Sequence, residues 1–246
     1  MTATTSPGRP SHTARPSPSM RSAGYARGPG PGSWSRPRRL LGAAIVAVAP
    51  LVLLGGILYH PFIADLRHKH DVAAALTAST TRWSIAHLVA AVGSALVALA
   101  FLAVATALRQ RGEWRWSGRA VPFVVVGSTL FALLPAMEIG VLAASLAGAD
   151  AEAVLIELEP WFRPVLLGSA AVFAVGVACA ARAVVRAKVL GRALTAVVVG
   201  ALAVTAVSRF LPFGAALVVG AAALVVGLLP LAGTVAARPP VPAGPG

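Results

Sequence analysis

Residues 40–59 read LLGAAIVAVAPLVLLGGILY, twenty residues without a charge, and the four before them, 36–39, read RPRR. An apolar run of that length crosses the roughly 30 Å hydrocarbon core of a bilayer as an α-helix. Arg36, Arg38 and Arg39 abut its start, so one end of the span is marked by positive charge. Five more runs follow, at about 84–108, 121–147, 164–185, 193–211 and 213–236. The connections between them alternate in charge. His60 to Trp83 is mixed, the next carries Arg109, Arg111, Arg115 and Arg119 against Glu113 alone, and the next holds Asp150, Glu152, Glu157 and Glu159. Arg182, Arg186, Lys188 and Arg192 surround the fourth connection, and Pro212 makes a sharp turn between the last two runs. Lys and Arg collect on the cytoplasmic side of membrane proteins, so this alternation predicts cytoplasmic N- and C-termini. It also predicts that the 60–83 loop and the 150–159 segment lie outside. Trp83, Trp114, Trp116 and Trp161 fall where interfacial anchors are expected.

Composition excludes the main alternatives. With 57% hydrophobic and only 12% charged residues, a soluble domain is implausible. A net charge of +13 invites a nucleic-acid partner, but seven of the 21 basic residues precede the first apolar run and most of the rest lie in two short loops. The charge marks orientation and a basic tail, and no nucleic acid is expected. Cys179 is the only cysteine, which excludes an internal disulfide and a multi-cysteine metal site. Residues 1–39 are rich in Pro, Gly, Ser and Arg, contain no acid, and are expected to be a disordered tail. Arg36, Arg38 and Arg39 are its membrane-surface residues, placed to meet anionic headgroups. Residues 237–246, rich in Pro and Gly, are expected to be a second disordered tail.

Glu138 is the residue that stands out, because a carboxyl group well inside an apolar span is costly unless it is protonated, paired or facing water. It lies about 13 Å from the outer end of its helix at 1.5 Å rise per residue. Pro135, one turn earlier, cannot donate to the carbonyl of Phe131. His87, Arg163 and Arg209 fall in the same leaflet, so the four are the candidates for a ligand site or ion pair, with Arg163 or Arg209 the expected partner of Glu138 and Glu138 directed inward on a stripe with Gly127, Phe131, Leu134, Val141 and Ser145. The alternative is that the arginines snorkel to headgroups, His87 sits at the interface and Glu138 is an isolated hydrogen bonder. Gly168, Gly176 and Ala180, and Gly220 and Gly227, would let helices approach closely. His60, His68, His70, Asp65 and Asp71 give the first outer loop some metal-ligand character, but no HExxH motif or cysteine pair supplies a template, so no metal and no cofactor are expected. A P-loop is absent, and the last two spans contain no histidine to serve an intramembrane serine protease.

Trp83-Ser84-Ile85-Ala86-His87 opening the second span, followed by Glu138 in the third, resembles uncharacterised small multi-pass membrane proteins of high-GC bacteria; the resemblance covers about 40–236. It brings no activity with it. The expectation is an all-α polytopic bundle of about six transmembrane helices in a bacterial plasma membrane, with the lipid bilayer and another membrane protein, or a second copy, as partners. The expected function is non-enzymatic, with a polar ligand or partner site in the outer leaflet. A small-molecule transporter or proton-coupled permease using Glu138 is the alternative, and an intramembrane enzyme using His87 and Glu138 is a third class.

Overall fold

The computed structural model describes residues 35–238. The disordered-tail expectations for 1–34 and 239–246 lie outside the described residues. Among those residues there are seven helices and no strand: α1 (Arg36–Tyr59), α2 (Lys69–Ala78), α3 (Thr80–Arg109), α4 (Arg115–Leu146), α5 (Ala151–Ala187), α6 (Arg192–Ser208) and α7 (Gly214–Ala236). Five of them, α1, α3, α4, α5 and α7, are long and apolar enough to cross a membrane.

Four sequence boundaries are corrected. Helix α1 starts at Arg36, so Arg36, Arg38 and Arg39 belong to its first turn rather than to a tail. Pro37 suits that turn, whose N–H groups lack intrahelical acceptors in any case. The 60–83 loop contains α2, which buries Val72, Ala73 and Leu76. The segment 150–159 forms the first turns of α5 instead of a loop, and the helix continues through Pro160 and Pro164. Asp150 begins it by accepting from the Glu152 N–H, the usual action of an N-capping aspartate. Finally, the fifth expected span is α6, only 17 residues long. The buried Arg209 caps its C-terminus and Pro212 follows, so the 193–211 run does not continue as helix.

Helices α1, α3, α4, α5, α6 and α7 pack in that order as a closed ring, with α7 returning to α1 and α2 lying mainly on α5. Its hairpins are set by missing side chains. A Cβ at Gly127 would collide with the Phe173 backbone, and one at Gly176 with the Val124 backbone, which seats α4 and α5 against each other. Gly56 against Ala90 and Gly93 against Leu53 do the same for α1 and α3, and Gly220 and Gly227 admit Ser208 and Leu202 between α6 and α7. Gly168 has open space and takes no part.

The ring has two unlike halves. Toward the N-terminus of α1 and the C-terminus of α7, Val46, Val97, Val104, Val124, Val177, Leu202, Leu224 and Leu228 form one continuous buried core. The rim there is basic. Arg115, Arg119 and Arg182 gather round the Trp116 ring, and Arg111 donates to the Thr234 and Ala107 carbonyls left open at the ends of α7 and α3. Glu113, the single acid of that loop, accepts from the N–H groups of Trp116 and Ser117 at the start of α4. At the opposite end a smaller cluster packs α2 onto Trp83, Val141, Leu142 and Leu155. Between that cluster and the main core lies a cavity.

Candidate functional site

The cavity has a volume of about 580 Å³ and draws its walls from all six ring helices or the segments that join them. His87, Glu138, Arg163 and Arg209 all line it, together with His60, Lys69 and Glu159. Each polar group reaches it for a local reason. His87 lies two turns into α3 and is only 4% exposed. Its Nδ1–H donates to the Trp83 carbonyl at 2.7 Å, one turn back on the same helix, which turns Nε2 across to α4 and the carboxyl of Glu138. A carbonyl can only accept, so the Nδ1 position is protonated. One further proton is then shared between His87 Nε2 and Glu138 Oε2: the imidazole accepts from a carboxylic acid, or the imidazolium donates to a carboxylate. In both forms the pair is neutral overall, which limits the cost of burying two ionisable groups.

Trp83 corrects another expectation. It is 1% exposed, buried rather than interfacial, and stacks on the His87 ring at 4.5 Å between centroids and 28° between planes. His60, just past α1, completes the group, 4.6 Å from Trp83 and 4.9 Å from His87. Its Nδ1–H donates to the Pro61 carbonyl at 2.6 Å. Burial pushes His60 below the usual imidazole value, and the neighbouring His87 lowers it further. Sequence reasoning placed His60 in a loop with weak metal character. Its part in this stack depends on α1 ending beside the start of α3, which Gly56 permits. Trp161, by contrast, is 73% exposed, as an interfacial anchor would be.

Among the described residues, neither Arg163 nor Arg209 pairs with Glu138. Arg163 is exposed at the cavity wall. Arg209 is 7% exposed, with its guanidinium 3.6 Å from the Phe173 ring centroid and 4.4 Å from that of Phe131. That position follows from Gly127, whose bare backbone lets Phe173 lie against α4. On the expected stripe of α4, Gly127, Leu134 and Val141 are buried, while Phe131, Glu138 and Ser145 are partly exposed. The remaining charges near the mouth are paired: Lys69 with Glu159 at 2.5 Å, Arg67 with Asp65 at 2.7 Å, and His70 with Glu152 at 3.0 Å. The Arg67 guanidinium holds Asp65 far below the ordinary carboxylate range, and Glu152 raises His70. No three His, Cys, Asp or Glu side chains converge as a metal site requires, among the described residues.

Comparison with protein-family models, curated proteins and solved structures gave no match.

Proposed function

We propose that this chain is a non-enzymatic integral protein of a bacterial plasma membrane that binds a small ligand in the cavity, at the level of the outer leaflet. The observation that carries the reading is a 580 Å³ space, within the roughly 300–1,000 Å³ of small-molecule pockets, faced by one His–Glu pair in an otherwise mainly apolar wall. Among the described residues no serine, threonine or cysteine lines it, so none of them offers a hydroxyl or thiol nucleophile there. Seven of the eight acidic residues lie in the cavity half and the basic rim lies at the other end. By the positive-inside rule the rim is cytoplasmic, and with it both termini. Six crossings satisfy that parity. Helix α6 is the sixth, since 17 residues reach the lower limit for a span and it fills the ring between α5 and α7.

The test has two parts. Native mass spectrometry of the full chain released from mild detergent should show a small-molecule adduct that Leu217→Trp, which projects a larger side chain into the cavity, weakens. An adduct unchanged by that variant would place the ligand elsewhere. Single-cysteine labelling after replacement of Cys179 should leave position 115 unreactive to impermeant reagents in intact cells, and reaction there would overturn the orientation.

A proton-coupled permease is the second reading, favoured by the hydrogen-bonded His87–Glu138 pair, since an ionisable pair inside a membrane bundle is a natural proton relay. Liposomes containing the chain and a pH-sensitive dye separate the two: proton flux abolished by Glu138→Gln supports transport, and its absence supports a binding protein.

A further inference from the structure

We propose that Arg209 is the anchor for an anionic amphiphile, one carboxylate or phosphate group on an apolar chain, held in the cavity. This rests on the ligand-binding reading above and names the class of ligand. The ionic groups lining the cavity can be taken in turn. Lys69 is held by Glu159, Arg67 by Asp65, and Glu138 by His87 in a neutral pair. Among the described residues two guanidiniums are left without a carboxylate, Arg163 in an exposed position and Arg209 buried. The cavity therefore carries uncompensated positive charge.

Arg209 has the less common environment. A buried cation without a partner is among the more costly arrangements in a protein. Phe131 and Phe173 offset part of that cost through their ring faces. Those ring contacts supply no oxygen acceptor to the N–H donors of the guanidinium. Its buried Nη1 has no hydrogen-bond partner. A guanidinium edge matches the two oxygens of a carboxylate or phosphate, and the match strengthens where water is excluded. The rest of the ligand is set by the walls. Phe131, Leu134, Leu166, Leu217 and Val218 present hydrocarbon, which a bare inorganic anion would leave uncovered. An amphiphile satisfies both surfaces, with its head on Arg209 and its chain against these side chains.

The source of such a molecule is either a free fatty acid or a single-chain phosphate from lipid, and the experiment distinguishes them. The full chain in nanodiscs of neutral phospholipid is assayed with radiolabelled hexadecanoate, hexadecyl phosphate and hexadecanol, and with inorganic phosphate. Both anions should bind, the better one naming the source, and hexadecanol and inorganic phosphate should bind weakly. Arg209→Gln should weaken the anions about tenfold to a hundredfold, the value of a charge-assisted hydrogen bond, and leave hexadecanol unchanged. Arg209→Lys, which keeps the charge and loses the fork, should weaken the anions by a smaller factor and serves if the Gln variant does not fold. Leu217→Trp, which narrows the cavity, should weaken all three amphiphiles. Hexadecanol binding as tightly as the anions, with no effect of either Arg209 variant, would overturn the proposal while leaving the cavity as a ligand site. Inorganic phosphate binding as tightly as hexadecyl phosphate would overturn the amphiphile. If the wild type binds none of the four, the proposal fails, while the ligand-binding reading stands or falls separately on the native mass-spectrometric adduct.

Discussion

The two halves of the helix ring are built from the same six elements and differ in what fills the middle. In the basic half, Val, Leu, Ala and Gly close the bundle, and charge stays on the rim, where Arg111 and Glu113 serve helix ends. In the cavity half, Trp83, Phe131 and Phe162 border a space, and His87, Glu138 and Arg209 sit inside the ring. A lipid-facing bundle gains nothing from hydrophobicity in its interior beyond what lipid offers, so close packing has to hold it together. The basic half has that packing. The cavity half forgoes part of it, and ionisable groups stand where the packing is missing.

The largest effect should come from breaking the closed half. Gly127→Leu drives a side chain into the Phe173 backbone, beyond the ordinary overpacking cost of about 1–3 kcal/mol, and should abolish the monodisperse peak in size-exclusion chromatography. Gly168→Leu and Gly140→Leu, where nothing lies within 4 Å, should elute like the parent. Equal damage at all three positions would mean that the bundle is not seated on its glycines. In the cavity half, Glu138→Leu strands His87 and should cost about 3 kcal/mol, the scale for removing one partner of a buried pair. Glu138→Gln keeps a hydrogen-bonding partner and should cost less, and the double variant His87→Leu, Glu138→Leu should recover much of the loss in detergent thermal melts. Additive losses would show that the two side chains are not coupled. At the basic rim, Arg111→Gln should cost about 1–2 kcal/mol by freeing the Thr234 and Ala107 carbonyls, read as a lower melting temperature.

How much of this was legible depended on which physical signal each part carries. Long apolar runs announce membrane-length helices, because no other structure satisfies the backbone in lipid, and Glu138 announces itself because a carboxyl group there needs a reason. Helix α2 and the start of α5 are hidden under charged residues, since charge between apolar runs ordinarily marks a connection, while the buried Val72 and Leu76 recur at the helical spacing of four. Opposite charge points to Arg163 or Arg209 as the partner of Glu138, and the structure supplies His87 instead, because the choice depends on rotations about α3 and α4 that the sequence does not display. Those rotations are fixed by Gly93 and Gly127, which look like ordinary small residues in a chain containing 24 glycines. Trp83 was read as an anchor for the same reason: its position at the start of a span is visible, but the His60 ring beside it is contributed by another helix end.

The smallest expected effect tests how α2 is held over the cavity half. Helix α2 reaches α5 through His70–Glu152 and Lys69–Glu159, and the first includes an imidazole. Glu152 raises the His70 pKa above the unfolded value, so the charged form is favoured by folding. The contribution of this contact is therefore fully present below the unfolded imidazole value of about 6.5 and is lost as pH rises through the higher folded value. His70 is exposed, so solvent screening keeps the contribution small. Hydrogen exchange of the α2 amides should accelerate modestly between pH 6 and pH 8.5, after correction for the intrinsic pH dependence of exchange, and His70→Gln should remove that excess. The main core of the basic half has no such group and should show no corresponding change. An unaltered α2 response in His70→Gln would mean that Lys69–Glu159 and the apolar face of α2 hold it alone, leaving the cavity half insensitive to pH at this contact.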